Sequence, residues 1–204
     1  MTGHLRFAGL AEARQREALE NIIRTSPLLM EVLIGLREDG APDHLLVAGA
    51  IYNLVWNRLT GRPDLNGIND IDVFYFDASD TSYEAEDVVI RRLSSHFAHL
   101  PLPVQVRNQA RVHLWFPQKF GMAFAPLHSS AEMLGRYASK AHAAGARLEA
   151  DNSLTIVAPF GLDDIFSFRI APNPMLANKR SHDAKAARAK SIWPEVTVIA
   201  WPDE

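Results

Sequence analysis

The sequence predicts an α/β (α+β) fold in which helices flank a mixed β-sheet. Short apolar segments rich in β-branched residues, typical of buried strands, alternate with segments whose apolar residues recur at helical spacing. The chain has 204 residues, of which 48% are hydrophobic and 22% charged, enough for one complete core. No repeat, low-complexity segment or linker interrupts it, so residues 1–204 are interpreted as a single domain.

The first part of the chain is predicted to form two helices, a strand and a third helix. The opening helix carries apolar residues at helical spacing, which are Leu10, Leu19, Ile22 and Ile23. The Ser-Pro pair at residues 26–27 is typical of a helix start, and Gly40 marks the end of that second helix. Residues 45–48 are predicted to form a buried strand that leads through Gly49 into a helix ending at Gly61.

Aromatic and β-branched residues predict a central strand at residues 70–76. Thr81 and Glu84 fit a capping box, which opens a helix to about His96. The residues of this helix that we expect to face inward are Val88, Val89 and Leu93.

The remaining elements complete the mixed sheet. Residues 104–107 are predicted to form another strand, and Ser129 with Glu132 fits a second capping box. A β-hairpin is predicted to join residues 146–150 to residues 154–158.

Composition limits the kinds of chemistry that the chain can carry. It has no cysteine, so any metal must be held by oxygen or imidazole ligands. The formal net charge of −3 gives no strong signal for nucleic-acid binding. Basic residues cluster in a predicted C-terminal helix at 178–190, and we favour a solvated basic surface there over a polyanion contact.

The chain also lacks the signals expected of a membrane or exported protein. Its apolar segments are all too short for a membrane-spanning helix, so no membrane partner is expected. Charged residues such as Glu12 and Arg14 stand where a signal peptide would need an apolar region. We therefore expect a cytoplasmic protein.

Two acids on the central strand are the strongest candidate for a functional site. Side chains alternate along a strand, so Asp70 and Asp72 should point the same way, with Cα atoms roughly 6.6 Å apart. Two carboxylates this close repel one another unless a cation lies between them, and hard oxygen ligands favour Mg²⁺ (or Mn²⁺). The alternative is a solvated pair of acids at the start of a strand.

The strand-to-helix turn upstream offers a place for phosphate. Gly49 allows the backbone to approach a ligand closely, and a helix beginning near Ala50 offers free N–H groups at its positive end. Asn53 is a candidate contact in the first turn. A tight turn without a ligand is the alternative for this segment alone, but the two aspartates on the next strand favour a joint phosphate and metal site.

The sequence resembles the nucleotidyltransferase superfamily, whose core is a strand ending in Gly-Ser or Gly-Gly, a helix, and a strand with Asp-x-Asp or Asp-x-Glu. Gly49-Ala50 and Asp70-Ile71-Asp72 occupy those places. More narrowly, it is similar to a bacterial nucleotidyltransferase-like family. That similarity rests on the Gly-Ala turn, the Asn-Asp-Ile-Asp phrase at residues 69–72 and the Asn-Gln-Ala-Arg-Val-His phrase at residues 108–113.

The resemblance implies a third carboxylate on a following strand, and the matching position is Gln105, which is a poor Mg²⁺ ligand. Arg107 shares a face with Gln105 by alternation, and Arg111 follows closely. We predict that both arginines bind the nucleotide's phosphates. A structural ion pair with Asp70 or Asp72 is the alternative role for an arginine here.

The first functional hypothesis is a metal-dependent nucleotidyltransferase that moves a nucleoside monophosphate from a nucleoside triphosphate to an acceptor of unknown identity. Asp70 and Asp72 would be its catalytic and metal-binding residues. The second hypothesis is a catalytically inactive nucleotide- or partner-binding module with the same fold, for which Gln105 is the main argument. A third is a phosphohydrolase with Asp70 as nucleophile, but the chain has no recognisable Lys and acidic pair downstream.

Overall fold

The computed structural model describes residues 3–202, and a five-stranded mixed sheet lies at the centre of the fold. Its strands are β1 (Leu45–Val47), β2 (Ile71–Tyr75), β3 (Val104–Asn108), β4 (Gly145–Leu148) and β5 (Leu154–Val157), in the order β3-β2-β1-β4-β5. Strands β2 and β3 are parallel, whereas the other neighbours are antiparallel. Two short strands, β6 (Arg169–Ile170) and β7 (Thr197–Val198), form a separate parallel pair.

Helices surround the sheet, as the sequence predicts. They are α1 (Glu12–Arg24), α2 (Pro27–Asp39), α3 (Gly49–Thr60), α4 (Tyr83–His96), α5 (Val112–Phe120), α6 (Ser130–Leu134), α7 (Asp163–Phe166) and α8 (Lys179–Ile192). Between residues 3 and 202, none of these helices is both long and apolar enough to cross a bilayer. The cytoplasmic location stays a prediction.

Several local sequence signals act as expected. The Ser26 hydroxyl accepts a hydrogen bond from the Leu29 N–H at the start of α2. Gly40 and Gly61 follow α2 and α3 in the left-handed conformation, with φ of 74° and 71°, which glycine adopts without steric cost. The predicted hairpin is confirmed as β4 and β5.

Some expectations about element boundaries are wrong. Strand β2 begins at Ile71, so Asp70 lies one residue before it. The residue that caps α4 is Ser82, whose hydroxyl accepts from the Ala85 N–H, and not Thr81. Val88 is 62% exposed because its side of α4 faces away from the sheet. Leu10 precedes α1 and is also exposed.

A row of buried aliphatic residues fixes the register of the three strands that carry the site. Leu46, Val73 and Val106 are aligned across β1, β2 and β3, and each is fully buried. A slip of one residue would turn these side chains out of the core, so the core strongly favours this register. The next row across the sheet is Val47, Asp72 and Gln105, and it faces the opposite side.

Candidate active site

Asp70 and Asp72 line one cavity of about 310 Å³ beside the sheet. Asp72 is half-buried in the middle of its row, between Val47 on β1 and Gln105 on β3. Residues of α8 and of the start of α3 also line the cavity. The two acids are therefore brought together in a partly enclosed site.

The acids repel one another in the protein alone. Burial raises the pKa of Asp72, the neighbouring Asp70 carboxylate raises it further, and the result is about 6. Lys185 and Arg107 act in the opposite direction and only partly offset this effect. Burial and the neighbouring carboxylate thus both disfavour the charged form of Asp72 in the protein alone.

The turn from β1 into α3 has an unusual backbone, but at Ala48 and not at Gly49. Ala48 has φ of 56° and ψ of −118°, a conformation that L-residues rarely adopt, while its N–H donates to the Ala144 carbonyl at 2.8 Å. A Cβ at Gly49 would lie 3.6 Å from the Asn53 amide nitrogen, an ordinary contact. Gly49 is thus not required by packing, and its small size leaves room on the cavity side. Helix α3 begins at Gly49, so its first N–H groups lack helical acceptors.

Gln105 is aligned with Asp72 across β2 and β3, on the face that the resemblance implies. Its side-chain amide donates a hydrogen bond to the Asp70 carboxylate at 2.7 Å. Residues 3–202 contain no group of three or more His, Asp or Glu side chains arranged to hold a metal. The residue that the sequence predicts for a third acidic position is therefore a neutral side chain that contacts Asp70.

The two predicted arginines are separated by the structure. Arg107 is aligned with Phe74 across β2 and β3, on the same face of the sheet as Gln105. Its side chain is exposed and close enough to lower the pKa of Asp72. Arg111 instead forms an ion pair with Glu86 and donates to the Thr81 carbonyl at 2.9 Å. It does not line the cavity, because the chain leaves the strand after Asn108 and turns into helical structure.

Two basic side chains of α8 line the cavity, and both are exposed, in keeping with the predicted solvated basic surface. Lys185 lies over the Tyr137 ring at 5.6 Å, and Arg188 donates to the Gly67 carbonyl at 2.8 Å. Desolvation lowers the pKa of Lys185, while the charges of Asp72 and Asp70 raise it. The cavity thus has a positive wall opposite its acids.

Buried hydrogen bonds hold α8 in this position. The Nδ1 atom of His182 accepts from the Ser139 hydroxyl at 2.8 Å, and its Nε2 donates to the Ile199 carbonyl at 3.0 Å. At the other end of the helix, the Trp193 indole donates to the side-chain carbonyl of Asn57 at 2.9 Å. The His182 and Trp193 side chains are both fully buried, which makes α8 a fixed part of the site.

Three side chains from the inner wall complete the cavity: Tyr52 and Asn53 of α3, and His142. The His142 ring stacks on Tyr52 with centroids 4.6 Å apart. Burial is the main cause that lowers the pKa of His142 to about 3, so the imidazole is neutral. Sequence reasoning identified Asn53 but neither Tyr52 nor His142, because no local pattern singles them out.

Comparisons with known proteins agree with this fold. A family model described as nucleotidyltransferase matches residues 36–198. A structure solved by NMR and described as revealing a CCA-adding enzyme head domain superposes with a TM-score of 0.74 at 24% identity. That match covers 91% of this chain and 96% of the other, and it establishes a common fold. No curated protein matches the sequence significantly. The predicted fold class and superfamily are confirmed, and the chain belongs to this nucleotidyltransferase family.

Proposed function

We propose that this protein is a metal-dependent nucleotidyltransferase that moves a nucleoside monophosphate from a nucleoside triphosphate to an acceptor hydroxyl or phosphate, with release of pyrophosphate. Family membership supports nucleotidyl transfer in general terms. The observation that carries the proposal is one cavity in which Asp70 and Asp72 face Lys185 and Arg188, beside the N-terminus of α3.

The donor atoms of this site fit a hard divalent cation. Asp70 and Asp72 offer carboxylate oxygens, and burial together with the Asp70 charge raises the pKa of Asp72. Oxygen donors of this kind select Mg²⁺ or Mn²⁺ over softer metals. When bound, the cation would supply charge neutralisation between the acids and the phosphates.

The chain's own groups would hold the phosphates. The first N–H groups of α3 and the positive end of its dipole favour an anion at Gly49 and Ala50. Lys185 and Arg188 would neutralise the outer phosphates from the opposite wall, and Arg107 would add charge at the rim. Because α8 is anchored by buried hydrogen bonds, these cations would be in place before substrate binds.

One observation favours a second candidate, a catalytically inactive nucleotide- or partner-binding module. Gln105 holds the position of the third acid and donates to Asp70, so it supplies neither a further anionic ligand nor a base. Such a module would bind the same nucleotide in the same cavity but would leave it intact.

Labelled nucleotides separate these candidates. The protein is incubated with Mg²⁺, a cell extract as the source of acceptor, and a triphosphate labelled on either its α- or its γ-phosphate. The proposal expects α-label on an acceptor with the wild type and none with Asp72→Asn, while the γ-label leaves as pyrophosphate. Transfer of γ-label would mean phosphoryl transfer instead, and retention of both labels on intact nucleotide would favour the binding module.

A further inference from the structure

Two buried polar atoms on the inner wall of the cavity lack a hydrogen-bond partner. Asn53 and His142 are only 3% and 2% exposed, and both line the cavity that holds the acids. Within residues 3–202, Oδ1 of Asn53 and Nε2 of His142 have no partner. Native proteins leave few buried polar atoms unpaired because each one costs stability. Two such residues beside one cavity leave hydrogen-bonding capacity that a bound ligand can satisfy.

The helix that carries Asn53 and the ring of His142 are in place before any ligand binds. Asn53 stands on the first turns of α3, directly after Tyr52, and the Tyr52 ring stacks on His142 with an interplanar angle of 27°. The backbone N–H of His142 donates to the Ser139 carbonyl at 3.2 Å. A wall built on a helix and a buried stacking contact is suited to selecting one ligand geometry.

The chemistry of this wall differs from that of the wall formed by α8. Its imidazole is neutral at physiological pH, whereas Lys185 and Arg188 carry the positive charge of the cavity. Phosphate oxygens of a bound nucleotide only accept hydrogen bonds, so they cannot satisfy the amide oxygen of Asn53. A hydroxyl can donate its hydrogen to the Asn53 amide oxygen and accept a hydrogen bond from Nε2 of His142 in the tautomer that is protonated there.

Position along α3 identifies which hydroxyl reaches this wall. The N-terminus of the helix, at Gly49, is the phosphate-binding end in the proposed function, and Asn53 lies about one turn further along. The sugar is bonded directly to the α-phosphate and is the first hydroxyl-bearing group beyond it. We propose that Asn53 and His142 bind a sugar hydroxyl of the nucleotide and make the site selective for ribonucleotides over a deoxy analogue. This inference rests on the proposed function.

Calorimetry with Mg²⁺ tests the inference. The probes are the ribonucleoside triphosphate that the wild type binds most tightly and its 2′-deoxy and 3′-deoxy analogues, which identify the hydroxyl concerned. We expect the wild type to bind the ribonucleotide about tenfold more tightly than one of these analogues, as for one or two hydrogen bonds in a buried site. Asn53→Leu and His142→Phe should remove most of that preference by weakening ribonucleotide binding alone.

Melting temperature provides the second measurement, because both variants replace an unpaired polar atom by an apolar group of similar shape. Such an exchange is neutral or stabilising, so both ligand-free variants should melt at or above the wild-type temperature. His113→Phe is the matched control, since Nδ1 of His113 is also unpaired but does not line the cavity. It should keep the full preference for the ribonucleotide.

Three results would overturn the inference. Equal binding of all three nucleotides by the wild type would show that the sugar hydroxyls do not contact Asn53 and His142, while leaving the proposed function intact. Lower melting temperatures with equal losses for every nucleotide would assign both residues a structural role. If the wild type binds no triphosphate in the presence of Mg²⁺, the inference and the proposed function fail together.

Discussion

Replacement of Asp72 by Asn should stabilise the metal-free protein at neutral pH. Burial, and after it the Asp70 carboxylate, raise the pKa of Asp72 from 3.8 to about 6. The folded protein therefore holds this proton more tightly than the unfolded chain, and the free energy of unfolding falls as pH rises from about 4 to about 6. Asn is neutral at every pH, so Asp72→Asn removes this cost.

The size of the effect follows from the two pKa values. The raised pKa of Asp72 corresponds to about 3 kcal/mol of lost stability at pH 7.5 and about 1 kcal/mol at pH 4.5. Asp72 is only half-buried, so solvent screens part of the repulsion, and we expect a measured gain of about 1–3 kcal/mol at pH 7.5. For a chain of this length, that gain raises the melting temperature by about 3–10 °C.

Circular dichroism melts in EDTA at pH 7.5 and pH 4.5 measure this gain. Glu149→Gln is a control of opposite sign, because hydrogen bonds from Thr155 and Arg147 hold the pKa of Glu149 below its usual range. Its stabilising contribution is present at pH 7.5 and is lost as pH falls, so this variant should melt lower at pH 7.5. An unchanged or lower melting temperature for Asp72→Asn at pH 7.5 would refute the reasoning about the acid pair.

Three further variants separate phosphate binding, metal binding and structural roles. Lys185→Met should weaken triphosphate binding about tenfold in calorimetry but leave nucleoside binding unchanged, whereas Lys179→Met on the same helix should change neither. Equal losses for triphosphate and nucleoside would contradict this. Gln105→Glu should lower metal-free stability and enlarge the rise in melting temperature with added Mg²⁺. A rise equal to that of the wild type would show that residue 105 does not contact the metal. Arg111→Met should cost about 3 kcal/mol of stability in urea unfolding because it leaves Glu86 buried without its partner, and it should leave triphosphate affinity in the folded protein unchanged.

Alternation along strands made part of the site predictable from the sequence. Alternation predicts that Gln105 and Arg107 share a face, the resemblance places Gln105 near the acids, and the observed register aligns Gln105 with Asp72. The buried residues Val73 and Val106 enforce that register from the other face. Alternation does not predict the position of Arg111, because β3 ends at Asn108 and the chain then turns into helical structure.

The opposite wall of the cavity could not be predicted because it is formed by contacts between distant parts of the chain. The buried face of α8 has helical spacing, with His182, Ala186 and Ala189 packed inward, and this pattern does predict that the helix docks. Lys185 borders that face, but nothing in the sequence says which surface the helix covers. His142 carries no local signal at all, since its neutrality arises from burial in the assembled fold.

The central claim is that Asp70 and Asp72 hold a divalent cation that bridges to the phosphates of a nucleotide. Titration calorimetry of a nucleoside triphosphate into the wild type and Asp72→Asn, each with Mg²⁺ or with EDTA, tests it most directly. The account predicts tight binding only for the wild type with Mg²⁺. Equal affinity in the two proteins, or binding of the wild type that is unchanged in EDTA, would contradict it.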